Sequence, residues 1–294
     1  MTSTTLKPLR GVRVLSLALN LPGPAALMRL RALGATCRKV EPPGRDGGSG
    51  DPMAQYNPGA YAVLHEGVRV VTMDLKSDRG QAALQRELGK TDVLLTSFRP
   101  SALHKLGLSW KALRKSHPHL SMVAIVGAPG ARAEEPGHDL TYLAEAGLIT
   151  GRDLPPTLFA DMGGALMAAD AALQAVLCAR TQGKGVFQEV ALSDAAAWLA
   201  LPRSWGLTQP KGAVGGAHAG YRVYDCKDGR VAVAALEPHF AAALCDAVGV
   251  PMRGVATLFA PATHAAMAAF FAGQKRAALD KLASQRDLPL HTLA

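Results

Sequence analysis

"VRVLSLALNLPGPAALMRLRALGATCRKVEP", residues 12–42, is the stretch whose reading decides the fold. Its opening "VRVLSLAL" is apolar and rich in strand formers, the make-up of a buried β-strand. "LPGPAALMRLRALGA" (21–35) follows as a helix, with Pro24 suited to the first turn and Gly34 to the C-terminal cap. "TCRKVEP" then reads as a second strand. Outward from this unit, "VRVVTMDL" (68–75), "DVLLTSF" (92–98) and "SMVAIVG" (121–127) read as further strands, with helical segments near 77–89 and 101–117. Strands alternating with helices predict a parallel sheet covered on both faces. Between the second and third strands, the glycine- and proline-punctuated "PPGRDGGSGDPMAQYNPGA" (42–60) reads as a mobile loop.

Past residue 137 the texture changes. "GGALMAADAALQAVLCARTQGKG" (163–185) is an alanine-rich helix closed by a glycine turn, followed by a strand "VFQEVAL" and a Ser/Asp-capped helix from about 194. "YRVYDCKDGRVAVAAL" (221–236) predicts a hairpin turning at Asp228-Gly229. Alanine-rich helical sequence then runs to the end, and no internal repeat is visible. "QPKGAVGGAHAG" (209–220) has the composition of a linker, which divides the chain into a large domain, 1–212, and a small one, 213–294.

Composition bounds the function. With 49% hydrophobic and 19% charged residues in 294, the chain can bury a substantial core. The net charge of +9 is dispersed and aromatics make up 5%, so the basic stripe or stacking platform of a nucleic-acid binder is missing. Dispersed positive charge suits a small anionic ligand instead. No apolar run reads as long and uninterrupted enough for a membrane span, and the N-terminus lacks a secretory signal. Cys37, Cys178, Cys226 and Cys245 are far apart without metal-ligand spacing, so the setting expected is the cytoplasm, with free thiols and no metal.

The glycine-rich phosphate turn of dinucleotide folds is absent after the first strand, as are the P-loop, the Gly-x-Ser-x-Gly elbow and His-Glu-x-x-His. Acid–base chemistry on carboxylate and imidazole remains. "EEPGHDLTYLAEAGL" (134–148) sets His138 beside Asp139 at a helix start, where Asp139 would cap its own helix. In "LFADMGGALMAADAAL", Asp161 precedes two glycines at another helix mouth; it is either a cap or a carboxylate that a ligand can approach over small residues. In "VAVAALEPHF", Glu237 leaves a very apolar strand and is either a solvated turn residue or, if buried, an acid able to exchange protons near neutrality.

Several segments in order carry a resemblance across nearly the whole chain: "LRGVRVLSLALNLPGPAALMRLRALGATCRKVEPP", "VTMDLKSDRG", "DVLLTSFRPSALHKLGLSW", "PGHDLTYLAEAGL", "ADMGGALMAADAALQAVLCARTQGKGVFQEVALSDAA", "YRVYDCKDGRVAVAALEPHF" and "RDLPL". Together they resemble the family III CoA-transferase superfamily, and within it the α-methylacyl-CoA racemases. The resemblance implies an α/β fold with a Rossmann-like large domain and a smaller α+β domain, assembled as an interlocked homodimer. It implies acyl-CoA as substrate, with coenzyme A part of that substrate and no tightly bound cofactor. It also implies one of two chemistries. A racemase removes and returns the α-proton of the thioester, which by motif falls to His138 and Asp161 with Glu237 in support. A transferase moves CoA between carboxylic acids through an aspartyl-CoA thioester, placed on Asp139. For CoA itself the resemblance points to Lys39, Arg69, Leu75, Arg99 and Tyr142. Two departures, "GAPGARAEEPGHD" without the family's glutamine and a short C-terminus after "RDLPLHTLA", admit a third reading, a non-catalytic CoA- or partner-binding protein.

Overall fold

A computed structural model describes residues 6–44 and 47–294. By chain contacts these form two units, Met1–Ala200 and Leu201–Ala294. In the first, the chain runs β1 (Arg13–Ser16), α1 (Pro22–Ala32), β2 (Thr36–Glu41), α2 (Pro52–Tyr56), α3 (Pro58–Leu64), β3 (Arg69–Thr72), α4 (Asp78–Leu88) and β4 (Val93–Thr96). It continues with α5 (Pro100–Lys105), α6 (Trp110–Ser116), β5 (Ser121–Val126), α7 (Asp139–Glu145), α8 (Phe159–Gln182), β6 (Phe187–Ala191) and α9 (Leu192–Leu199). All six strands pair in parallel in the order β3-β2-β1-β4-β5-β6. This is the doubly wound order, in which the chain reverses direction across the sheet between β1 and β4. The α/β class and Rossmann-like sheet expected from the sequence are therefore the observed ones.

Local chemistry explains the elements. Helix α1 opens on Pro22, where a missing N–H is harmless, and Gly34 follows its end at φ +99°. Ser77 caps α4 by accepting from Gly80 N–H at 3.1 Å. The helix expected over 101–117 is two helices, because Gly107 at φ +70° turns the chain and Ser109 caps a new start. The segment expected as a mobile loop holds α2 and α3; Asp51 and Asn57 are their N-caps and Pro52 and Pro58 their first residues. Arg45 and Asp46 of that segment lie outside the described residues. Helix α9 starts directly after β6 with Ala191 at its N-cap, so Ser193 and Asp194 lie within its first turn and do not cap it.

Helix α8 is the central buried element and packs against α1, α9 and β5. Its inward face is alanine (Ala160, Ala165, Ala168, Ala169, Ala172), which lets neighbouring backbones approach closely. A Cβ on Gly164 would stand 2.3 Å from Leu192 Cδ2, so this glycine serves helix packing rather than ligand access. By length and composition alone, with a mean hydropathy of 1.5, α8 could cross a membrane, contrary to the sequence reading. Alanine, only moderately hydropathic, together with Asp161 and Asp170, keeps the run from standing out in the sequence.

In the second unit, the chain runs α10 (Leu201–Ser204), β7 (Tyr221–Cys226), β8 (Gly229–Ala234), α11 (Pro238–Val248), α12 (Pro261–Ala272), α13 (Arg276–Arg286) and β9 (Leu290–Leu293). The hairpin forms, but Cys226 pairs with Gly229, so Lys227-Asp228 is the turn. Asp228 instead caps α13, accepting from Arg276 N–H at 2.8 Å. The chain ends in β9, antiparallel to β8, where the sequence suggests helix. The boundary lies at 200/201, ahead of the 212/213 that composition suggests. Ala219 N–H donates to Leu258 C=O at 2.8 Å and His218 is buried, so the glycine-rich segment packs on the small unit instead of linking.

The close approach of α1 to the segment after β1 gives a stability test. A Cβ on Gly23 would lie 2.1 Å from Ala18 Cβ, on a buried backbone with no flexible side chain to yield. Gly23→Ala should destabilise the protein by about 1–3 kcal/mol despite alanine's better helix propensity. Urea midpoints check this; an unchanged or higher midpoint would show that the α1 approach is slack.

Candidate active site

Strand order decides where a site belongs. In a doubly wound sheet the crevice opens at the carboxyl ends of the strands where the connections diverge. A cavity of about 640 Å³ lies there and is lined from the segments that follow β1 (Leu19 to Pro22), β4 (Ser97 to Arg99) and β5 (Gly127). The mouths of α7 and α8 close it, contributing His138, Asp139, Leu158 and Asp161. The loop between β5 and α7 is tied down at two points. Glu134 accepts from Ser101 N–H (2.6 Å) and Oγ–H (2.9 Å) at the start of α5, and Glu189 accepts from Gly130 N–H at 2.8 Å.

Asp139 does not cap its own helix. His138 holds the N-cap position of α7, with its backbone N–H donating to Thr141 Oγ1 at 3.1 Å. The buried carboxylate of Asp139 reaches across to α8, where Oδ1 accepts from Ala160 N–H (2.7 Å) and Asp161 N–H (3.0 Å). It thus satisfies the first-turn donors of a helix twenty residues further along the chain. Those two N–H groups are consequently not free to hold a ligand anion.

Asp161 sits half-buried on the third position of α8. Burial, then the Asp139 carboxylate, push its pKa from 3.8 up to about 6, with His138 pulling the other way. A carboxyl poised there exchanges protons close to neutral pH. His138, exposed at the α7 mouth, shares the cavity with it. Tyr142 is buried beneath, its hydroxyl so close to Gly127 and Gly137 that a Cβ on either would come within 2.5 Å. Burial, then the Asp161 charge, raise the Tyr142 phenol above its usual range, and Arg99 opposes this.

Of the residues expected to bind CoA, Arg99 and Tyr142 line this cavity. Three others do not. Lys39 is completely buried, its ammonium held by the Asp51 carboxylate, Glu41 Oε1 (2.9 Å) and His65 Nε2 (2.9 Å), so its donors are already used. Arg69 opens β3, the edge strand of the sheet, at its amino end, away from the carboxyl ends where the cavity lies. Leu75 packs into the apolar cluster on the sheet with Val71 and Met73. Glu237 lies in the second unit, exposed at the N-cap of α11 without a side-chain capping bond. Glu41, Asp51 and His65 lie at metal-ligand spacing, but the cation among them is the Lys39 ammonium.

The sequence reading missed Asn20, Tyr56 and Ser97 on the cavity wall. Asn20 carries a detectable signal: a residue before Leu-Pro-Gly-Pro that adopts φ +63°, the left-handed region that asparagine tolerates. Tyr56 lies in the segment taken for a loop, and nothing local marks it.

Fold and cleft together define a doubly wound α/β protein with an imidazole and a perturbed carboxyl at the switch point of its sheet. A family model described as CoA-transferase family III matches residues 9–294, and the chain belongs to that family. It is 33% identical over 215 residues to a probable fatty acyl-CoA transferase of Mycobacterium tuberculosis, covering 67% of this chain and 54% of that one. Over 260 residues it is 30% identical to the human α-methylacyl-CoA racemase, covering 82% of this chain and 65% of the relative. The chain thus spans about half to two-thirds of the length of these curated relatives. Among solved structures, a Mycobacterium tuberculosis protein superposes with a TM-score of 0.83 at 26% identity, over 98% of this chain and 86% of that chain.

The strained carboxyl has a measurable signature. Because the folded pKa of Asp161 is raised, the fold favours its protonated form; the penalty is absent below about pH 4, grows through about pH 6 and is complete above it. Asp161→Asn should therefore stabilise the protein at pH 7 and flatten the fall in stability between pH 4 and 6. Denaturant midpoints of both proteins over that range test this, and equal midpoints at pH 7 would contradict the strain.

Proposed function

We propose that this chain acts on acyl-CoA thioesters by proton transfer at the thioester α-carbon, as an α-methylacyl-CoA racemase-like isomerase. The observation that carries this reading is Asp161, raised to about 6, in one cavity with His138. Inversion at a carbon needs a base on one face and an acid on the other, and imidazole and carboxyl can exchange those roles near neutrality. In one direction His138 takes the α-proton and Asp161 returns one from the opposite face; in the other the roles reverse. The charge that develops on the thioester oxygen needs fixed donors. With the α8 donors held by Asp139, the Asp139 and Leu140 N–H groups at the start of α7 are the donors we assign to this, since Thr141 N–H donates to His138 C=O. Arg99 supplies a cation for the phosphates of coenzyme A, as a guanidinium suits.

A second reading is CoA transfer between carboxylic acids, for which we propose Asp161, in place of Asp139, as the nucleophile. A nucleophilic carboxylate attacks the thioester carbonyl and expels CoA thiolate, leaving a mixed anhydride. The thiolate then attacks the aspartyl carbonyl and releases the free acid, leaving an aspartyl-CoA thioester. Asp139 has one oxygen fixed by two backbone donors in the α8 mouth, whereas Asp161 has no such tether. Either chemistry then depends on Asp161, and Asp139 is the cap that holds its helix.

Incubation with 2-methylacyl-CoA thioesters in deuterium oxide, followed by NMR, tests the reading. Wild type should exchange the α-proton, and His138→Gln and Asp161→Asn should each lower the rate by about a hundredfold or more. Asp139→Asn keeps an acceptor oxygen for Ala160 and Asp161 and should stay within about tenfold of wild type. Hydroxylamine-sensitive labelling of Asp161 without exchange would establish transfer instead. CoA binding with neither outcome would identify a non-catalytic binder.

We further propose the homodimer. Its support in the first unit is the set of large apolar side chains left exposed on α8 and α9, including Leu166 (60%), Leu177 (55%) and Trp198 (69%). Sedimentation at low micromolar concentration should give a dimeric mass, and a monomer there would refute it.

A further inference from the structure

A fully buried lysine is costly unless every donor is used, so its surroundings show what it is kept for. Lys39 is held on three sides, by Asp51, Glu41 and His65. The His65 Nδ1 lies 2.7 Å from Tyr61 C=O and donates there, which leaves Nε2 bare to accept from the lysine. Glu41 is completed by Tyr61 Oη–H at 2.9 Å and by the Ser49 hydroxyl. Each member of the cluster is therefore satisfied.

Asp51 carries the cluster outward. One of its oxygens meets Lys39; the other, Oδ1, accepts from Asn20 N–H (3.1 Å) and Met53 N–H (2.9 Å). A single buried carboxylate thereby joins the turn after β1 to the first turn of α2. Those are the two segments that bring Asn20, Pro22, Pro52 and Tyr56 to one side of the cavity. Asn20 is held at φ +63°, and its Oδ1 lies 3.4 Å from the Tyr56 hydroxyl. Tyr56 is also near enough to Asp161 for that charge to act on its phenol.

We propose that Lys39 and Asp51 are positioning residues that fix Asn20 and Tyr56 as a substrate-contacting wall of the cavity, facing Asp161. The proposal rests on the reading that this cavity takes acyl-CoA. It assigns to Lys39 a role in placing that wall, in place of direct phosphate contact. The Asn20 amide and the Tyr56 phenol are the groups that meet the substrate, and each offers both a donor and an acceptor to the amide and carbonyl groups of an acyl-CoA arm.

Calorimetric titration of the full chain with acetyl-CoA tests this. Asn20→Gly keeps the left-handed backbone, which glycine adopts more easily, and removes only the side chain. Its melting temperature should equal or exceed that of wild type, while its dissociation constant rises about tenfold, the scale of one lost hydrogen bond. Tyr56→Phe should weaken binding in the same direction. Asp51→Asn should speed amide hydrogen exchange over 51–56 and weaken binding together. Should that variant not fold, Asn20→Gly and Tyr56→Phe decide alone. If wild type binds acetyl-CoA and both of these bind as tightly, the wall makes no substrate contact and the inference fails by itself. If wild type does not bind acetyl-CoA, the functional reading fails and takes this inference with it.

Discussion

The site depends on one carboxylate. Asp139 Oδ1 accepts from Ala160 and Asp161 N–H and so joins the mouths of two helices that the chain separates by a long irregular loop. Helix starts leave donors without partners, and a buried start without a cap is unstable. Leu158 offers α8 no side-chain cap, so Asp139 supplies one from another helix. Without that bond, nothing else among the described hydrogen bonds would hold the α8 mouth against the α7 mouth. The relative placement of His138 and Asp161, on which the proposed proton transfer turns, follows from it.

The same bond sets the electrostatics. Bringing Asp139 to the N-terminus of α8 puts a second carboxylate beside Asp161, and that neighbour is the largest cause after burial of the raised Asp161 pKa. A capping interaction that stabilises the helix thus destabilises the charge on its third residue. The conflict is local and consistent with function, because a carboxyl near pH 6 is of use in proton exchange and of none in holding a fold together.

Much of the fold was legible because it rests on local rules. Alternating apolar strands and capped helices predict the parallel sheet, and Pro22, Gly34 and Ser77 sit at the helix ends where their chemistry belongs. The departures are tertiary. Residues 209–220 look like a linker by composition but pack on the small unit through His218 and Ala219. The last four-residue strand forms only because Gly229 lets the chain pass at close range; a Cβ there would meet Leu293 C=O at 2.3 Å. At the site, residue types marked His138 and Asp161 and the family resemblance marked Arg99 and Tyr142, all of which line the cavity, but neither showed which groups were already engaged. In one dimension Lys39 looks like a free charge and Asp139 like a cap of its own helix; their partners Asp51 and Ala160 lie 12 and 21 residues away, in segments whose packing no local pattern reveals.

Two buried aspartates, Asp51 and Asp139, do the same kind of work on opposite sides of one cavity. Each uses one oxygen to hold two backbone N–H groups and so ties its own segment to one distant in sequence: Asn20 and Met53 in the case of Asp51, Ala160 and Asp161 in the case of Asp139. Loops that carry function need a rigid support, and a carboxylate bridging two backbones provides it with more reach than a hydrophobic contact. They differ in their countercharge. Asp51 is paired with the Lys39 ammonium, whereas no ion pair joins a cation to Asp139 among the described residues, and its field falls on Asp161. The paired aspartate therefore shapes the wall of the site, and the one without a countercharge tunes its reactive group.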